Sequence, residues 1–587
     1  MQANEIDKPG SGDSTTATRP AGATAGQPAG QTELALRDQA RLALRATLTL
    51  VARHPALQGL LALAVYLAVF MISFAFPLLL HPGVPLVYQT NPDPNFYVWT
   101  WRWWPYAISH GLNPLHSSQI GAPAGYDLAW TTPTAALAVL QAPVTELIGP
   151  IQSFNLTLVL AAPVSGWAAF VAARRLTGRF WAALAAGAVY GFAWYETGET
   201  AVGHPNLIAV MVLPLMVYLV LLWRDQDLRP VPFVALQAVA MAAEFYIFSE
   251  TFFWLTALGA VVLLIGFVIA SPAQRSEVAR LARLLGVAWV VAMALAAPTL
   301  VYMLRHSPGS FTKAVPGHSL NLNELVNPWS GIVLLVIVLA LAVFAWRSRL
   351  NRLLVISFVL VVAVAMGPAL VLDHHGPLHV VGSFPWEGLW SLAFVRSTEP
   401  VRLIIFVNLV LAMIVALWLA LPGRSRLLLA LRWSLGVAAV AGLIAYMPGL
   451  SRDYGGNEAR AAHPVQALPT FFTSGEYRQY LRPGETVLVV SDRGNAGMLF
   501  QAYTNFYFRL SGGFVNISLQ DATALPAPVA ALKHPAPGND RRFLAYAHRT
   551  GVKAVIVERA WASPWMSVFW RMGLHGKSVG GVIIYPT

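Results

Sequence analysis

Long apolar runs recur along this chain from Leu57 to Met447, while both ends are polar or mixed. Eleven of them are near the length that crosses about 30 Å of hydrocarbon: 57–80, 153–173, 181–196, 205–222, 232–249, 251–270, 284–304, 331–346, 353–372, 402–421 and 427–447. Runs 181–196 and 331–346 are short. A further run, 133–149, is broken up by Pro133, Gln141, Pro143, Thr145 and Glu146, and loop charge decides its status. If it does not span, alternate loops collect Arg174, Arg175 and Arg179; Arg224 and Arg229; Arg275, Arg280 and Arg283; Arg347, Arg349 and Arg352; Arg424, Arg426 and Arg432. Arg37, Arg41, Arg45 and Arg53 then fall on the same side. Because arginine and lysine concentrate in cytoplasmic loops, this pattern predicts a cytoplasmic N-terminus and an outside C-terminus. Residues 133–149 become a re-entrant or surface-lying helix in a long first outer loop, 81–152.

The ends complete the organisation. Residues 1–32 are rich in Ala, Gly, Thr and Pro, which predicts a disordered cytoplasmic tail. That stretch lacks the apolar core of a cleavable signal peptide. Residues 33–56 mix leucines with arginines and suit a basic helix on the inner leaflet, or a plain extension of the first span. At 451–587, Glu485-Thr-Val-Leu-Val-Val-Ser-Asp, Val552-Lys-Ala-Val-Ile-Val and Gly581-Val-Ile-Ile-Tyr read as strands and 496–510 as a helix. This is a small α/β domain, on the extracytoplasmic side by the loop charges, without a Gly-rich phosphate loop. The expected architecture is an α-helical polytopic membrane protein with about 11 transmembrane helices over 57–450, followed by that domain. Composition agrees. Of 587 residues 56% are hydrophobic and 11% charged, against about 25% charged in soluble domains. The net charge of +12 is accounted for by cytoplasmic loops and gives no reason to invoke nucleic acid. With no cysteine, disulfides and thiolate metal sites are excluded.

Under this topology the ionisable residues able to do chemistry gather on the outer face. Asp93, His116 and Asp127 lie in the first outer loop; Glu196, Glu199 and His204 in the second; then Glu244, Glu250, His306, His318, Glu324, Asp373, His374, His375, Glu399 and Arg402. A carboxylate near the bilayer is costly unless it faces a partner or a wet cavity, so each is a candidate. The first outer loop reads Asn91-Pro-Asp-Pro-Asn-Phe-Tyr-Val-Trp-Thr-Trp-Arg-Trp-Trp. Flanking prolines favour an extended Asp93. Phe96, Trp99 and Trp103 share one face of the helix that follows, suited to the membrane–water boundary either beside a lipid substrate or as an aromatic anchor. Gly203-His-Pro-Asn-Leu opens a span, which puts His204 and Asn206 at a helix N-terminus that favours an anion. In Arg396-Ser-Thr-Glu-Pro-Val-Arg402, Arg402 enters the membrane edge. It serves there as a phosphate partner or as a salt bridge to Glu399.

An acid in a long first outer loop, interfacial helices within that loop, and many spans followed by an outside domain together resemble the GT-C superfamily of membrane glycosyltransferases. Gly111-Leu-Asn113-Pro, Pro123-Ala-Gly-Tyr-Asp-Leu-Ala-Trp, Gly203-His-Pro-Asn-Leu and Glu399-Pro-Val-Arg402 are similar to motifs of multispan bacterial membrane proteins common in actinobacteria. The resemblance implies a bacterial plasma-membrane enzyme. It implies transfer of a sugar from a polyprenyl-phosphate donor, at the outer face, to an envelope glycan, lipid or protein acceptor. It also implies a catalytic carboxylate in the first outer loop, Asp93, with Asp127 second. Many members carry an adjacent pair of acids there; this chain has one Asp between two prolines. His204, Asn206, Glu399, Arg402, Arg396, Trp99, Trp103 and Asn113 form the expected substrate-binding set. The departing phosphate needs positive charge from Arg402, Arg396 or a divalent cation. A non-catalytic flippase, transporter or assembly factor is the rival class. Transporters often show internal repeats, and no convincing one is visible here. A GT-C scaffold that binds lipid-linked sugar without turnover is a third reading.

Overall fold

The computed structural model describes residues 54–75, 93–307, 330–367, 395–423, 425–447, 468–491, 495–513 and 538–587, with shorter stretches within 319–392 and 526–536. The expected tail and almost all of the basic helix lie outside the described residues. Residues 59–587 form one compact unit.

A helix occurs at each of the eleven expected runs. Among the described residues, eight helical stretches are long and apolar enough to cross a bilayer, one of them, Pro205–Arg224, interrupted as described below. They include α1 (Pro55–Phe70), α3 (Pro150–Thr177), α7 (Pro230–Ile247), α8 (Ser249–Ile269), α9 (Pro272–Arg305), α12 (Ile404–Ala420) and α13 (Arg426–Ala445). Three are shorter: α4 (Phe180–Gly191), α10 (Gly331–Ala345) and α11 (Arg349–Ala365). The chain is a multi-pass membrane protein. Residues 133–149 do not span. They form helices Ala135–Leu140 and Ala142–Ile148, of 6 and 7 residues, tied to α3 where Thr145 donates to Ser153 at 2.9 Å.

Two expected spans are broken, each beside the candidate site. Run 181–196 stops at Gly191; the chain turns through Phe192 and Ala193 into a separate helix α5 (Trp194–Val202). Run 205–222 divides into a turn of helix at Pro205–Ile208 and α6 (Val212–Arg224). Broken backbone is tolerated at membrane depth only where its polar groups find partners. Here the Tyr190 hydroxyl donates to the Val210 carbonyl at 2.9 Å. Helices α3 and α4 cross at glycines. A side chain at Gly187 would put its Cβ 2.5 Å from the Gly166 carbonyl oxygen, and one at Gly191 would lie 2.6 Å from that of Ala162. Helix α9 starts earlier than expected, so Arg275, Arg280 and Arg283 stand on a helix rather than in a loop.

The C-terminal sheet contains the three strands expected, β1 (Thr486–Val490), β3 (Val552–Glu558) and β5 (Val582–Pro586), and two that were not, β2 (Arg509–Leu510) and β4 (Lys577–Val579), in the order β2-β1-β3-β5-β4. The first three are parallel and β5 and β4 antiparallel. The helix expected over 496–510 ends as α14 at Tyr503. Asn505 and Phe506, with φ of 53° and 57°, then turn the chain back into β2.

Candidate active site

Asp93 is the first residue of α2 (Asp93–Ser109) and not an extended linker residue. Pro94 follows in the first turn, where its missing N–H costs nothing and its fixed φ suits the helix. The tryptophans that follow take neither expected role. Trp99, Trp101 and Trp103 are fully buried. Trp99 and Trp103 stack with centroids 5.3 Å apart, and Phe506 sets its edge against both. Trp99 Nε1 donates to Gln501 Oε1 at 2.7 Å, and Arg102 Nε to Asn505 Oδ1 at 2.8 Å. The first outer loop pairs backbone with the strand end, Leu510 N to Gln119 O at 2.8 Å and Ala122 N to Leu510 O at 2.9 Å. The aromatic face thus fastens the Asp93 helix to the C-terminal domain.

Helix α5 ends at Gly203, whose φ of 86° is the left-handed conformation that closes a helix. The turn folds His204 back beside Glu199. The His204 ring then bridges two acids: Nδ1 lies 2.6 Å from Glu199 Oε2, and Nε2 3.1 Å from Asp93 Oδ2. Burial alone depresses an imidazole, but the bonds from Asp93 and Glu199 outweigh it and raise His204 to about 9. The ring is therefore an imidazolium at neutral pH, donating through both nitrogens. The 203–207 motif places His204 and Asn206 at a helix N-terminus as expected, but that helix is a single turn, and His204 meets carboxylates of the chain. On the next turn of α2, Tyr97 donates to Asn206 Oδ1 at 2.7 Å. Burial, and the Asp93 charge beside it, push the Tyr97 hydroxyl well above the usual range, so it stays a neutral donor.

Arg402 Nη1 bonds Glu250 Oε2 at 2.6 Å and its Nη2 lies 3.3 Å from Glu399 Oε2, so the expected ion pair with Glu399 forms and a closer one with Glu250 joins it. The buried Nε has no hydrogen-bond partner among the described residues.

These groups line one cavity of about 600 Å³. Asp93, Tyr97, His204, Asn206 and Arg402 form its polar end; Phe252, Phe253, Trp289, Leu300 and Leu304 continue it between α8 and α9. From Trp289 to Leu304 that arm follows about 22 Å of helix at 1.5 Å per residue. Asp127 stands apart, with its Oδ1 accepting from Tyr302 at 2.5 Å and 3.0 Å from His116 Nδ1. Its partial burial raises the carboxyl, but these bonds win and hold it below the usual range. Asn113 is also apart, with its Oδ1 accepting from the Leu115 N–H at 3.0 Å, and Arg396 is exposed. Glu196, fully buried, accepts twice from Asn408 at 2.9 and 3.1 Å. His318, Glu324, Asp373, His374 and His375 lie outside the described residues.

Sequence reasoning named Glu199 and Glu250 as outer-face acids without giving either a role, and passed over Tyr97. A signal existed for Glu199. An acid, a glycine four residues on and a histidine next to it is what a glycine-closed helix end folds together.

No protein-family model and no curated protein sequence matches the chain. Solved structures do. The apo oligosaccharyltransferase of Archaeoglobus fulgidus superposes with TM-score 0.51 at 11% identity, over 90% of this chain and 74% of that one. Mycobacterial arabinofuranosyltransferase AftD superposes with TM-score 0.52 at 14% identity, over 90% of this chain but 39% of its own. The fold is GT-C. Apo ArnT from Cupriavidus metallidurans shares it, with TM-score 0.50 and 13% identity over 90% of this chain and 97% of that one. Within this fold the described cavity opens where α2, α5 and the entry to α12 meet.

Proposed function

We propose that the chain is a membrane glycosyltransferase that takes a sugar from a polyprenyl-phosphate donor and passes it to a hydroxyl of an envelope glycan, lipid or protein. The observation that carries the reading is the shape of the cavity. One end holds a carboxylate, an imidazolium and an arginine; the other is a long apolar arm between two helices. A lipid phosphate sugar has the same division. The apolar arm takes the prenyl chain, and the polar end takes phosphate and sugar. A soluble nucleotide sugar leaves the arm without a purpose. The GT-C fold, found in an arabinofuranosyltransferase and an oligosaccharyltransferase, supports the class.

The step is a single displacement. Asp93 accepts the proton of the acceptor hydroxyl, whose oxygen forms a bond to the anomeric carbon. The bond from that carbon to the phosphate oxygen breaks, and the electron pair leaves with the polyprenyl phosphate. Arg402 Nε offers the developing charge a hydrogen-bond donor, and the His204 imidazolium, whose two N–H groups are taken by Asp93 and Glu199, adds only its positive charge nearby. Asn206, held by Tyr97, orients sugar hydroxyls.

The test is purified protein in nanodiscs with radiolabelled polyprenyl-phosphate pentoses and hexoses, beside nucleotide sugars, and an envelope extract as acceptor. Transfer from a lipid donor is expected. Transfer from a nucleotide sugar in lipid-free conditions overturns the reading.

A further inference from the structure

Paired acids at a transfer site raise the question of what neutralises them. A divalent cation does so by drawing several oxygen or nitrogen donors to one point. The donors around Asp93 among the described residues do not converge in that way. His204 lies between Asp93 and Glu199, and its opposite ring edges face the two acids. An ion placed between Asp93 and Nε2 is therefore out of reach of Glu199. The remaining acids that approach, Glu250 and Glu399, are held by Arg402. Among the described residues no group of three or more His, Asp or Glu forms a metal-binding cluster.

We infer that His204, clamped between Asp93 and Glu199, is the cation of this centre and that the centre works without a bound divalent metal. The inference rests on the transferase reading for its purpose, but on the residues themselves for its geometry.

The arrangement has a chemical logic. A lipid phosphate entering beside Asp93 brings a second negative charge into a confined site, where like charges repel. The imidazolium, donating to Asp93, offsets that repulsion and aims the carboxylate. Glu199, on the far edge of the ring, holds the proton on the ring and fixes its orientation. His204 is thus a positioning residue, acting through Asp93. Among the described residues, the groups that set its charge are Asp93 from α2 and Glu199 from α5, while the Tyr97 ring packs edge-on against it and Arg402 lines the same cavity. Tyr97 is a neutral donor, so among the described residues the ring's charge is held by two acids.

The test need not wait for the donor to be identified. Protein labelled with ¹⁵N-histidine, chelator-treated and held in nanodiscs, is examined by NMR, the His204 signals being those absent from His204→Gln. Both ring nitrogens are expected to be protonated at neutral pH and to lose a proton near pH 9, in line with the value to which the two acids raise the ring. Asp93→Asn is expected to move that midpoint down by about a unit or more, as loss of an adjacent opposite charge does. Mg²⁺, Mn²⁺ and Ca²⁺ are expected to leave the signals in place. A neutral His204 at pH 7, stoichiometric broadening by Mn²⁺, or a metal ion co-purifying at one equivalent overturns the inference. In the transfer assay, EDTA is expected to leave the rate unchanged within about twofold. EDTA inactivation reversed by Mg²⁺ or Mn²⁺ defeats this inference and leaves the transferase reading intact. Absence of transfer from every lipid donor defeats that reading, and the NMR result then decides this one alone.

Discussion

At the scale of single residues, the structure separates two aspartates that the sequence offered together. Asp93 lines the cavity and touches His204, whereas Asp127 is fixed by Tyr302 and His116 outside it. Asp93→Asn keeps the shape and removes the base, so transfer is expected to fall by at least about a hundredfold, the usual scale for a lost general base. Asp127→Asn is expected to stay within a few fold. Single-turnover rates of both variants, at matched expression, check the pair; the reverse ranking moves the base to Asp127. Asp93 was legible because prolines and a long loop isolate it. The bridge through His204 was not, because it joins residues 111 positions apart and no local pattern encodes such a distance. Trp99 and Trp103 misled for a related reason. Helical spacing shows that they share a face but not what covers it, and a membrane boundary and a protein domain both suit tryptophan.

At the scale of elements, the run lengths gave helix positions well and helix ends poorly. Hydropathy sees apolar character, and 181–196 and 205–222 stay apolar through their breaks. The breaks come from tertiary contacts, such as Tyr190 on the Val210 carbonyl, which an apolar average does not register. The crossing of α3 and α4 shows how strict such contacts are. Backbone meets backbone at Gly166, Gly187 and Gly191, and at Gly187 the buried Tyr66 hydroxyl crowds the same space. Gly187→Val is expected to cost more than the 1–3 kcal/mol or so typical of overpacking. Its thermal unfolding in detergent should begin several degrees earlier than that of the parent. An unchanged melting temperature would mean that the two helices do not cross there. Because α4 leads directly into α5, the same variant is expected to weaken transfer.

At the scale of the whole molecule, arginine-rich loops predict that residues 176, 226, 278, 350 and 424 share the cytoplasmic face. Single cysteines are simple to read here, since the chain has none of its own. Each is expected to be shielded from a membrane-impermeant maleimide in intact cells and to react after permeabilisation, while a cysteine in the C-terminal domain reacts in both. Labelling of 350 and 424 from outside refutes the orientation.

The packing of α2 against the C-terminal domain also has a consequence for biosynthesis. Trp99 hydrogen-bonds a glutamine 402 positions later, so the helix that begins at Asp93 leaves the ribosome long before its cover exists. At about 5–20 residues per second, that interval is roughly 20–80 seconds. Until then the tryptophan face has only lipid or a chaperone to shelter it. A chain cut short after its last span keeps Asp93 and His204 but leaves their supporting helix uncovered. Translation order thus ties a fully packed centre to a finished polypeptide.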